Sequence, residues 1–160
     1  MLSGDRSKLY DEEKKRQSGL IGDALKAPWL SVRDASGASF LATRLDSSNR
    51  ALELVAHSDV GGLSSLRSHL ADDSVTYAAF AFSPGYPYGE GTRKMAFVTI
   101  VGPAVGAIKR GKVALQKCGV YNIFEGIAAD VGIFQSAAEA TDEAILAELR
   151  RNMPKAELLR

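Results

Sequence analysis

The sequence predicts a single α/β domain with a central mixed five-stranded sheet and helices on both faces. Three observations carry this. The apolar periodicities follow one another in the order αββαββαβα. Met95–Val101 contains no charged residue, as expected of a central strand covered on both faces. The 160 residues, 46% hydrophobic and 24% charged, suit one core of ordinary size.

Residues 1–18 are dominated by charge, from Asp5 and Arg6 to Lys14, Lys15 and Arg16, and offer little to bury. They are expected to form a flexible tail, with the domain proper over residues 19–152 and a second loose segment over 153–160. Leu20, Ala24, Ala27 and Leu30 recur at helical spacing across Pro28. Either the helix kinks there or its ordered part begins with Pro28 in the first turn, where the missing N–H costs nothing. Ser36-Gly37 ends it. Phe40–Leu45 alternates as a strand, Asp46-Ser47-Ser48-Asn49 is turn chemistry, and Ala51–Ala56 reads as the returning strand. Gly61-Gly62 opens a short helix with Leu63, Leu66 and Leu70 along it.

Val75–Phe82 carries Tyr77, Phe80 and Phe82, side chains that suit a packed pleated face. The Gly- and Pro-rich stretch 84–91 is expected to be a loop. After Met95–Val101, Gly102-Pro103 breaks the strand. Residues 107–124 read as mostly helical, with Val113, Leu115, Val120 and Phe124 expected inward and Gly111 and Gly119 weakening the helix. Ile127–Phe134 returns to strand, through what should be a right-handed parallel crossover. Thr141 caps a last helix with Asp142 and Glu143 at its positive end and Arg150 and Arg151 at its negative end.

Charge is sorted into blocks although the formal net charge is only +1. Residues 91–124 hold no Asp or Glu but carry Arg93, Lys94, Lys109, Arg110, Lys112 and Lys117, and an acidic block from Glu125 to Glu148 follows. Segregated charge of this kind marks a docking face for an acidic partner. Catalytic signatures are missing. His57 and His69 stand apart, no Cys or His set has metal-ligand spacing, and the glycines of 85–91 lack the Lys-Ser/Thr ending of a phosphate loop. No enzyme, cofactor or metal is expected. Aromatic residues do not interleave with the lysines as a nucleic-acid platform requires, so no nucleic-acid partner is expected either. No apolar run is long enough for stable membrane insertion. Cys118, the sole cysteine, fits a reducing compartment, and the cytoplasm is the expected address. Its thiol reads more readily as a small core residue than as a redox group.

The run from Arg93 to Pro103 resembles the central strand of the actin-depolymerising-factor homology family, and the element order matches that fold. Within it, Lys94–Gly102, Val105–Lys112, Leu30–Asp34 and Glu148–Arg151 resemble the coactosin branch in sequence order, over roughly residues 20–152. The resemblance implies a partner, filamentous actin, bound along the filament side without strong severing, in association with the cytoskeleton. Lys94 matches the family's filament-binding lysine. Arg110 and Lys112 match the basic start of the helix laid against actin. With Arg93, Lys109, Lys117, Arg150 and Arg151 they make up the expected contact set. Phosphoinositide head groups are a further partner that the resemblance implies, and cofilin-like severing is the alternative activity.

Overall fold

The computed structural model describes residues 20–84 and 93–153; the expected tail 1–18 and most of the loop 84–91 lie outside these. A 3₁₀ turn, Asp23–Leu25, leads into helix α1, Lys26–Asp34. Strand β1, Phe40–Leu45, and strand β2, Leu52–Ser58, form a hairpin, followed by the short helix α2, Gly62–Arg67. Strands β3, Val75–Phe82, and β4, Lys94–Val101, come next. Helix α3, Ala107–Tyr121, strand β5, Ile127–Phe134, and helix α4, Asp142–Asn152, complete the domain.

The strands form one sheet in the order β2-β1-β3-β4-β5. All neighbours are antiparallel except β4 and β5, which run parallel because α3 carries the chain back between them. Alternation along the strands makes two cores. On one face Leu41, Tyr77, Met95, Phe97 and Val101 meet Trp29 and Val32 of α1 and Val113 and Val120 of α3. On the other, Phe40, Phe80, Ala96, Val98 and Ile100 meet Leu66 of α2 and Ile145 and Leu149 of α4. Strand β4 is therefore buried on both sides along Met95–Val101, the origin of its uncharged sequence.

Local chemistry fixes the junctions. The Asp46 carboxylate accepts hydrogen bonds from Ser48 Oγ at 2.8 Å and from the backbone N–H of Arg50 and Ala51 at 3.1 and 3.3 Å, closing the β1–β2 turn. Thr141 Oγ1 accepts from the Ala144 N–H at 3.1 Å and caps α4. Gly102 lies against the carbonyl of Asp72, which a Cβ at that position would meet at 2.2 Å, so the turn from β4 toward α3 requires glycine.

Of the two expectations for the first helix, the one with Pro28 in the first turn holds, since α1 starts at Lys26. Other expectations are corrected. The buried residues of α1 are Trp29 and Val32, while Leu30 is exposed. Ile21 instead makes a parallel bridge to Ala51, so the helical spacing that began at Leu20 belongs to two elements. Leu115 is 81% exposed: Val113 and Val120 set the buried stripe of α3, and Leu115 stands about 200° around the helix from Val113. Cys118 is exposed rather than in the core, because it shares the outward side of α3 with Leu115. Strand β2 also runs two residues beyond Ala56.

Candidate functional site

The basic block divides into side chains engaged within the fold and side chains turned to solvent. Arg93 belongs to the first group. Its Nε donates to Gly37 O at 2.7 Å, Nη1 to Arg33 O at 2.7 Å, and Nη2 to Val32 O at 2.8 Å and to Ser39 Oγ. One guanidinium thus satisfies the carbonyls left open at the end of α1. Burial lowers its pKa from the usual arginine value, and the nearby Asp34 carboxylate acts in the opposite sense.

Arg110 plays the same part at the start of α3. Its Nε donates to Val105 O at 3.0 Å, Nη2 to Gly102 O at 2.8 Å, and Nη1 to Gln135 O and Oε1 at 3.2 and 2.8 Å. The side chain ties the β4–α3 turn to the segment after β5. Lys117 makes an ion pair with Asp130 of β5 at 2.6 Å, so the acidic block neutralises part of the basic one. Arg151 pairs with Glu148 at 3.1 Å on the surface of α4.

Lys109 and Lys112 are exposed on α3. Beside them stand Ile108, 80% exposed, and Leu115, 81% exposed. Ile108, Lys112 and Leu115 follow at steps of four and three, so they form one stripe on the outward side of the helix. Two large aliphatic side chains held in water next to two lysines form a ready contact surface of mixed apolar and cationic character. The sequence reading missed Ile108 and turned Leu115 the wrong way. The available signal was Val113 and Val120, whose seven-residue spacing already supplied an inward stripe.

Lys94 lies elsewhere. It opposes Phe82 across the β3–β4 ladder and shares the alternation of Ala96 and Val98, which places it on the sheet face covered by α2 and α4. Arg150 is exposed near the end of α4, on that same side of the sheet. The predicted contact residues therefore do not make one continuous face. Lys109 and Lys112 define a patch on α3; Lys94, Arg150 and Arg151 belong to the α4 side.

The fold is thus a five-stranded mixed sheet with one parallel pair, covered by α1 and α3 on one face and by α2 and α4 on the other. The family model described as cofilin/tropomyosin-type actin-binding protein matches residues 20–150, and the chain belongs to that family. Among solved structures it is similar to coactosin from Entamoeba histolytica, with 18% identity and a TM-score of 0.70 over 86% of this chain and 99% of that one. Mouse coactosin, described as an actin filament binding protein, is similar at 20% identity and a TM-score of 0.63, covering 83% and 92% of the two chains. Streptomyces griseoflavus cofilin matches at 18% identity and a TM-score of 0.66, covering 83% and 98%. At these identities the likeness is one of fold. No curated protein matches the sequence. Among the described residues, no helix is long and apolar enough to cross a membrane.

Proposed function

We propose that this protein is a coactosin-like module that binds the sides of actin filaments and modulates their dynamics without strong severing. It acts by binding rather than catalysis, in association with the cytoskeleton. Membership in an actin-binding family supports actin as the partner. The observation that carries the assignment of a surface is the outward stripe of α3, where Ile108 and Leu115 flank Lys112 with Lys109 alongside. Exposed aliphatic side chains at such positions are unfavourably hydrated and gain free energy when a contact removes them from water, while the lysines supply attraction to an acidic filament. Lys94, Arg150 and Arg151 form the second contact, on the α4 side. Arg93, Arg110 and Lys117 hold the elements that present both.

Co-sedimentation with filaments tests this reading. Leu115→Ser, changed at an exposed position, should alter stability by less than about 0.5 kcal/mol and lower filament affinity at least several-fold. Wild-type binding by Leu115→Ser together with Lys112→Ala would remove α3 from the interface. Single-filament imaging separates the two activities of the family: decorated filaments of undiminished length support side binding, and rapid fragmentation assigns cofilin-like severing.

A further inference from the structure

A polar pocket of about 320 Å³ opens between the first half of α3, the end of β1 and the start of β3. Tyr77 forms part of its wall. That side chain is 1% exposed, it rises from β3 on the face covered by α3, and its hydroxyl has no hydrogen-bond partner among the described residues. The hydroxyl is the far end of the side chain and so points toward α3, whose Lys109 and Gln116 line the pocket opposite the sheet. Burial pushes its pKa up to about 12, so at neutral pH it keeps its proton and is a donor without an acceptor. Buried donors are nearly always met by protein, water or a ligand, because leaving one unmet is costly. The charges of the pocket say which acceptor suits it. Arg44 and Glu53 neutralise one another at 3.0 Å, whereas Lys109 forms no ion pair among the described residues. The lining therefore carries one uncompensated cation, in the first turn of a helix whose dipole also favours an anion there.

We propose that this pocket binds a small monocarboxylate of amino-acid size, its carboxylate held between the Lys109 ammonium and the Tyr77 hydroxyl. A carboxylate accepts from both at once, and hydrogen bonds to an ionised acceptor are the strong ones. A single cation beside a neutral phenol balances one negative charge. It leaves the second charge of a phosphate dianion unpaired in a half-enclosed site, which is costly. The uncharged end of the ligand faces the apolar side chains of Leu45 and Val75. The volume is at the lower end of ligand-sized sites, which limits the occupant to a short molecule. Lys109 and Gln116, seven residues apart, share one side of α3, between the buried stripe of Val113 and Val120 and the outward stripe of Ile108 and Leu115. The pocket thus borders the α3 stripe without including it.

The inference does not depend on filament binding, and its test does not use filaments. Acetate and lactate are titrated into the full chain, with chloride at matched ionic strength and inorganic phosphate as comparisons, and backbone amide spectra are followed. At least one of the two carboxylates should give saturable shifts at Ser74–Tyr77 and at Lys109–Gln116, with a dissociation constant in the millimolar range or tighter, and none at Ile145–Leu149 across the sheet. Tyr77→Phe keeps the ring and removes one hydrogen bond to a charged acceptor, so it should weaken that binding about tenfold or more. Lys109→Gln, at an exposed position, should weaken it as well, and it decides the matter if Tyr77→Phe fails to fold. Shifts that rise without saturating for both carboxylates, or that chloride reproduces, mean a pocket filled by water and overturn the proposal. Carboxylate binding unchanged in either folded variant also overturns it. Phosphate saturating the same amides at lower concentration than either carboxylate overturns the assignment of ligand class.

Discussion

Arg110 brings one guanidinium against four oxygens, those of Val105, Gly102 and Gln135 together with the Gln135 side chain. A lysine carries the same charge but presents a single ammonium, which cannot meet this fan of acceptors. Arg110→Lys should therefore cost about 1–3 kcal/mol through carbonyls left unpaired, read as a lower denaturant midpoint. If Arg110 were simply a charge for filament attraction, the lysine variant would be neutral in stability. The basic residues of 91–124 look alike in the sequence because their partners are backbone carbonyls, which no residue type advertises; only folding separates Arg93 and Arg110 from Lys109 and Lys112. Tyr77 is the opposite case, a polar group without a partner among the described residues. Burial pushes its hydroxyl from 10.0 up to about 12. The neutral form is thus favoured in the folded state. The unfolded chain loses this proton first, so the contribution is complete below about pH 10 and is lost as pH rises toward 12, by roughly 2 kcal/mol. Tyr77→Phe should hold stability at pH 7 within about 1 kcal/mol of the parent or raise it, and should fall less between pH 9 and 11. A variant that loses several kcal/mol at pH 7 would show that the hydroxyl is satisfied.

At the scale of elements, α3 combines a strict inward stripe with loose composition outside it. Gly111 is exposed, and a Cβ there would meet nothing within 4 Å. Gly111→Ala should accordingly stabilise the fold by about 0.5–1 kcal/mol through helix propensity, measured by thermal or urea unfolding. Gly102→Ala should be strongly destabilising, because the Asp72 carbonyl occupies the space its Cβ needs. The same contrast explains what was legible. Strands β3 and β4 could be placed from sequence because burial on both faces removes charge from Val75–Phe82 and from Met95–Val101. In α3 the sequence turns Val113 and Val120 inward correctly and Leu115 wrongly; in α1 the leucine spacing from Leu20 to Leu30 misses the inward side, which Trp29 and Val32 fill. In α3 the outward leucine is part of the candidate site, so an error about packing concealed a candidate contact residue.

For the whole molecule, the sheet separates what the sequence places together. Lys94 and Lys112 are 18 positions apart in one acid-free stretch, yet alternation puts Lys94 on the α4 side while α3 covers the other face. One-dimensional charge order cannot reveal this, because the parity of a strand residue decides its face and a helix follows before the next lysines. If both patches contact a filament, they touch different parts of it. Charges that share no partner and lie well apart act independently, so their effects on binding should add within about 0.5 kcal/mol. Lys94→Ala and Lys112→Ala should each weaken co-sedimentation, and the double variant should show the product of the two losses. Raising salt should weaken the parent more than the double variant, since screening over about 8–10 Å acts on charges that the double variant no longer has. A double variant no weaker than the worse single one would mean that the two lysines serve one coupled contact. Loss through Lys112 alone, with Lys94→Ala binding as the parent does, would confine the interface to α3.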